Sequence, residues 1–294
     1  MEAGKGSLTA GVAGAGTMGT GIAITIARAG IPVTLFDVSA DALSRAQRQI
    51  FEFVDASVAR GKMTSEAAET ARAALRLAAE PDALASCDVM VEAVFEHLPT
   101  KHELLSSLDR ICGPDTLFLT NASTLSIAEI AAGSGRPDRV VGAHYCLPAQ
   151  MMKLVEMSRG LLTSEESWRR AWEFQLATGQ KPVETRDRPG FVLNHFCIPY
   201  HNDAIRMIDA GVAEPASIDR AMKAAMGFAM GPLELIDLIG LDTQLRASEA
   251  LFSVTNDPRA APPPLLRRMV AAGLLGRKSR RGFYTYGSDA VYGA

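Results

Sequence analysis

The chain has 294 residues, 48% hydrophobic and 21% charged, with a formal net charge of −3. Both signs are interspersed, which leaves no electrostatic footprint for nucleic acid or an acidic membrane surface, and the length allows two domains with full cores. The four cysteines, Cys87, Cys112, Cys146 and Cys197, are scattered with no Cys-x-x-Cys or Cys/His clustering, so neither a disulfide framework nor a metal site is expected.

In chain order, Val12 and Ala13 lead as a strand into Gly14-Ala15-Gly16-Thr17-Met18-Gly19. A helix-like run over 20–29 stops at Gly30, and the apolar run 33–36 ends on Asp37. Gly14 permits the tight turn, Gly16 lets a pyrophosphate approach the backbone, and Gly19 brings helix and strand close. The helix N-terminus offers its N–H groups to the phosphates. This ordered context, not the glycines alone, predicts dinucleotide binding. Asp37 would accept hydrogen bonds from a ribose diol, and its charge favours NAD over NADP. Arg28 interrupts the apolar stretch and no signal-peptide cleavage site follows, while no run reaches the length of a membrane span. A soluble, cytoplasmic protein with small-molecule or subunit partners is expected.

A helix over 39–60 closes at Gly61, and 75–78 and 89–94 read as strands. Helix 99–111, strand 116–120, helix 126–132 and strand 139–146 continue the alternation of a doubly wound α/β sheet. The next strand, 153–157, follows too soon for a parallel crossover, so these two form an antiparallel hairpin. Thr163 with Glu166 reads as a capping box opening the helix of Trp168 and Trp172, and 181–185 is a last strand. At Asp187-Arg188-Pro189-Gly190 the alternation breaks, which sets domains of 1–188 and 189–294. The second is helical: 191–210, a helix opened by Pro215, another from Gly231-Pro232 to Gly240, then 241–255 and 265–272. The chain closes on an aromatic 283–286 segment. Such apolar helices pack on each other and the first domain, or pair subunits.

With the hairpin loop centred near Gln150, residues whose numbers sum to about 300 face each other, which sets Glu156 opposite His144 with Cβ atoms about 5 Å apart. A carboxylate there holds one ring nitrogen and leaves the other to exchange a proton, as alcohol oxidation with NAD requires. Spacing alone does not separate such a pair from an incidental one. His97 and His102 read as solvated residues of a charged helix. Asn121 and Ser123 follow a strand at the sheet edge where ligands bind, but both are also common turn residues. Asn194 interrupts Phe191-Val192-Leu193, where a buried amide needs partners.

Taken together, the segments resemble the 3-hydroxyacyl-CoA dehydrogenase family over nearly the whole chain. The motifs are GAGTMGTGIA at 14–23, VEAVFE at 91–96 with Lys101 beyond, TNAS at 120–123, GAHYCLP at 142–148 and MKLVE at 152–156. PGFVLN at 189–194, MGPLELIDLIGLD at 230–242 and GRKSRRGFYTY at 276–286 complete the set. The resemblance implies a Rossmann-type NAD-binding domain, a helical domain for dimerisation and a substrate cleft between them. It also implies interconversion of L-3-hydroxyacyl-CoA and 3-oxoacyl-CoA. In it His144 is the general base and Glu156 its support, Ser123 and Asn194 hydrogen-bond the reacting oxygens, and Glu96, Lys101 and Asn121 lie near the nicotinamide. Gly14, Gly16, Thr17, Met18, Gly19 and Asp37 hold the rest of NAD. Leu147 stands where the family usually has asparagine, which keeps a free 3-hydroxy acid substrate as an alternative. A catalytically weak NAD-binding protein is the more distant rival. Arg280 stands where glycine is usual.

Overall fold

A strand covered on both faces reads as a near-continuous apolar run, and the short runs of the first half follow that rule save at Thr34, Glu92 and Thr120. In the computed structural model, which describes residues 8–287, β1 (Ala10–Ala13), β2 (Val33–Phe36), β4 (Val89–Glu92) and β5 (Leu117–Thr120) are buried throughout. With β3 (Leu75–Ala78), β6 (Val140–Tyr145), β7 (Leu154–Arg159) and β8 (Lys181–Thr185) they form one eight-stranded sheet in the order β3-β2-β1-β4-β5-β6-β7-β8. Neighbours are parallel except β6 and β7. The chain falls into two compact units, Met1–Arg188 and Pro189–Ala294.

Helices α1 (Thr17–Arg28), α2 (Ala40–Ala59), α3 (Ser65–Ala74), α4 (Leu98–Ile111), α5 (Ile127–Ala132) and α6 (Glu165–Ala177) complete the first unit. Its core sets Val12, Leu35, Val91, Leu119, Val141, Tyr145 and Met157 of the sheet with helical Ile22, Ile26, Ile50, Trp168 and Phe174. Each such side chain contributes about 1.5–3 kcal/mol through burial. One helix is missing from the expected elements and one expected cap is displaced. The alanine-rich helix α3, capped by Thr64 and burying only Ala68 and Ala71, carries too faint an apolar stripe to be read as a helix. The cap of α6 is Ser164, whose hydroxyl accepts from the Ser167 N–H. Thr163 instead donates to the Val140 carbonyl at 2.7 Å and accepts from the Gly160 N–H, because it closes the end of the hairpin.

The second unit consists of α7 (Leu193–Asp209), α8 (Pro215–Met226), α9 (Pro232–Ile239), α10 (Leu241–Thr255) and α11 (Pro264–Ala271). Ile205, Ile218, Leu233, Ile236, Leu241 and Leu266 form its core. Two buried carboxylates fasten the closing aromatic segment to these helices. Asp237 accepts from the N–H groups of Phe283 and Tyr284, each at 3.0 Å, and from the Tyr286 hydroxyl at 2.9 Å. Asp219 accepts from the N–H groups of Leu233 and Glu234 and from the Tyr284 hydroxyl. A Cβ on Gly282 would lie 2.1 Å from an Asp237 oxygen, so the clasp needs glycine there. Just before it, Arg280 adopts the left-handed conformation at φ 61°. Among the described residues no helix is long and apolar enough to cross a membrane.

Candidate active site

The turn from β1 into α1 is tight at both ends and open in the middle. A Cβ on Gly19 would meet the Gly14 carbonyl oxygen at 1.7 Å, and Gly14 itself has φ +107°, whereas nothing lies within 4 Å of a Cβ on Gly16. Helix and strand therefore pack closely while Gly16 leaves room for a ligand against the backbone. No side chain caps α1, so its first-turn N–H groups remain suited to an anion. Thr17 is exposed there and Met18 half-buried. At the end of β2, Asp37 accepts from the N–H groups of Ala15 and Ser39, each at 2.8 Å. It thereby ties the glycine turn to β2, and a carboxylate with about four acceptor sites retains capacity for a ribose diol. This cradle fits NAD.

His144 and Glu156 are register partners across the β6–β7 hairpin. The imidazole Nδ1 lies 2.9 Å from Glu156 Oε2, and the two residues are 6% and 1% exposed. Alternation along β6 sends Ala143 and Tyr145 into the core and His144 to the opposite face. The loop joining the strands is fastened to α1, where the Thr25 hydroxyl donates to the Ala149 carbonyl and Arg28 to the Gln150 carbonyl, both at 3.1 Å. Within that loop Leu147 is 44% exposed.

The strand ends beside this pair carry the other polar residues. Asn121 Oδ1 accepts from the Tyr145 N–H at 2.9 Å, which bridges β5 to β6 next to His144. Glu96 Oε1 accepts from the Ser123 N–H at 2.7 Å, and Lys101 Nζ is 3.5 Å from Glu96 Oε2. Lys101 itself is buried against Glu92. The structure thus groups His144, Glu156, Asn121, Ser123, Glu96 and Lys101 at the C-terminal edge of three adjacent strands, where open α/β sheets bind ligands. Asn194, near the start of α7 in the second unit, is half-buried.

His97 is exposed, as expected, whereas His102 is half-buried. His97 Nδ1 pairs with the Thr100 hydroxyl at 3.0 Å, and His102 Nε2 lies 2.7 Å from the Glu129 carbonyl oxygen, joining α4 to α5. Reading the sequence overlooked Glu92, although a single acid closing the apolar strand Val89–Glu92 was a visible signal. Burial pushes the Cys87 and Cys112 thiols up, to about 12 and about 11, so both are poor nucleophiles. Among the described residues no three His, Cys, Asp or Glu side chains are grouped to hold a metal ion.

A Rossmann-type unit with this glycine turn and an acid closing β2 defines an NAD-binding dehydrogenase. The family description "3-hydroxyacyl-CoA dehydrogenase, NAD binding domain" matches residues 9–188, and "3-hydroxyacyl-CoA dehydrogenase, C-terminal domain" matches residues 190–286. The chain belongs to the 3-hydroxyacyl-CoA dehydrogenase family. It is 42% identical over 275 residues to the probable 3-hydroxybutyryl-CoA dehydrogenase of Bacillus subtilis, covering 94% of this chain and 96% of that protein. The crystal structure of Mycobacterium tuberculosis FadB2 superposes with a TM-score of 0.92 at 38% identity, over 96% of this chain and 100% of that one. That of (S)-3-hydroxybutyryl-CoA dehydrogenase PaaH1 from Ralstonia eutropha gives 0.89 at 36% identity, with the same coverage.

Proposed function

We propose that this protein interconverts an L-3-hydroxyacyl-CoA and the corresponding 3-oxoacyl-CoA, with His144 as general base. The observation that carries the reading is the buried pairing of His144 Nδ1 with Glu156 at 2.9 Å. With Nδ1 held by the carboxylate, proton exchange with the 3-hydroxyl falls to Nε2, and the negative charge of Glu156 stabilises the imidazolium that results. NAD, when bound, supplies the hydride acceptor or donor. Ser123 and Asn194 hydrogen-bond the reacting oxygens, while Glu96, Lys101 and Asn121 border the nicotinamide end and Asp37 holds the ribose. The relatives named for 3-hydroxybutyryl-CoA support a thioester substrate with a short acyl chain.

In the same reading, residues 1–188 bind the cofactor and residues 189–294 complete the substrate cleft and form a homodimer. The second unit leaves the apolar side chains of Phe196, Val212 and Met226 exposed at 72%, 63% and 59%, which supports subunit pairing. The cytoplasm is the compartment of this reading, where Cys87 and Cys112 stay as thiols.

The test is NADH oxidation followed with acetoacetyl-CoA, with free acetoacetate and the His144→Ala variant run alongside. Turnover of the thioester that disappears in His144→Ala is expected. Turnover of the free acid alone would overturn the thioester assignment and make Leu147→Asn the next variant.

A further inference from the structure

Glu92 has no part in the roles set out so far, yet it is among the most completely enclosed charges in the first unit. It closes β4 at 1% exposure, and its register partner Thr120 closes β5 and donates its hydroxyl to Glu92 Oε1. Lys101, also 1% exposed, sets its ammonium 2.7 and 2.9 Å from the two Glu92 oxygens. The same ammonium stands 3.5 Å from Glu96 Oε2.

The far oxygen of Glu96 is fully engaged too. It accepts from the consecutive N–H groups of Ser123 at 2.7 Å, Thr124 at 2.6 Å and Leu125 at 3.3 Å, and from the Thr124 hydroxyl at 3.2 Å. Successive N–H groups converging on one point form an anion-binding concavity, and here the chain's own carboxylate fills it. The position of the Ser123 backbone is therefore set by where Glu96 sits.

We propose that Glu92 is a positioning residue that, through Lys101 and Glu96, fixes the place of Ser123. The inference rests on the reading that Ser123 hydrogen-bonds the reacting oxygen. A buried ammonium needs a carboxylate partner. With Glu92 charged, Lys101 is satisfied at short range and touches Glu96 only at 3.5 Å, which leaves Glu96 aimed at the 123–125 loop. With Glu92 neutral, the attraction of Lys101 falls on Glu96 alone. Glu96 is drawn inward and the loop loses its common acceptor. A displacement on the order of 1 Å in a group touching the reacting atoms costs about a hundredfold in rate.

The experiment is a double-mutant cycle of Glu92→Gln with Ser123→Ala, with kcat and KM measured for NADH-dependent reduction of acetoacetyl-CoA. Glu92→Gln alone is expected to lower kcat about tenfold to a hundredfold. In the Ser123→Ala background the same change is expected to cost less than about twofold, because the group being positioned is gone. Equal losses in both backgrounds would overturn the proposal and leave Glu92 a support of the fold. A Ser123→Ala variant with full kcat would overturn the role given to Ser123, and the proposal with it. If Glu92→Gln does not fold, Glu92→Asp replaces it in the same cycle. That change withdraws the carboxylate from Lys101 by one methylene and shifts the attraction of the ammonium toward Glu96. A loss of kcat confined to the Ser123 background is again expected, and equal losses in the two backgrounds, or none, again overturn the proposal.

Discussion

Each unit encloses a carboxylate almost completely, Glu156 at 1% exposure in the first and Asp237 at 0% in the second, but the two keep different company. Glu156 faces the ring of His144, a side chain whose nitrogens can each donate or accept a hydrogen bond. Asp237 faces two backbone N–H groups and a tyrosine hydroxyl, which only donate to it. Burial alone therefore does not mark a functional acid. In the proposed function the partner decides: an imidazole makes the carboxylate part of a proton-transfer device, and backbone donors make it a fastening.

That contrast predicts opposite phenotypes. The largest effect belongs to His144→Ala, which is expected to lower kcat by about 10²–10⁴-fold, out of proportion to the shift of the urea midpoint caused by taking the ring from the buried Glu156. A large loss of stability with modest loss of rate would place the pair among the fastenings. Asp237→Ala should do the reverse. Three donors lose their acceptor, and at about 1–3 kcal/mol for a buried group, tempered by water at this edge, the expected loss is about 3 kcal/mol of stability. Activity per folded molecule should stay close to that of the parent.

Tyr286→Phe sharpens the comparison through pH. Burial, with the hydrogen bond to Asp237 added, pushes the Tyr286 hydroxyl up to about 12. The folded state therefore holds this proton when the unfolded chain, with its tyrosine near the ordinary value of about 10, has released it. The contribution is complete below pH 10 and disappears as the pH rises to about 12. Thermal melts of the parent should fall over that window, and those of Tyr286→Phe should fall less steeply from a start about 1 kcal/mol lower. The smallest effect is expected for Arg280→Gly, which relieves a left-handed residue beside the clasp. A gain of about 0.5 kcal/mol in urea titrations is expected, since relief of left-handed strain outweighs the added freedom of glycine in the unfolded chain.

The parts of the molecule visible from sequence were those governed by local rules. Gly14 and Gly19 mark a turn whose backbone admits little else, and hairpin arithmetic alone set His144 against Glu156 in the observed register. The left-handed Arg280 falls where the family pattern had already pointed to glycine. What escaped depends on distant partners. Glu92 is one letter at the end of an apolar strand until Lys101 arrives from α4 and Thr120 from β5. Asp219 and Asp237 look like ordinary helical charges until the closing aromatic segment folds back on them. Helix α3 escaped for another reason, since alanine supports a helix without leaving a strong apolar stripe.

The order of the sheet leaves two outer strands, β3 and β8, each with one side able to recruit a foreign strand. On β8, Pro182 has no N–H to offer such a recruit, and exposed Lys181 and Glu184 flank it with charges of both signs. On β3, exposed Arg76 interrupts the apolar run. Strand exchange between molecules, the usual route from a sheet of this size to fibres, is thus discouraged along both margins.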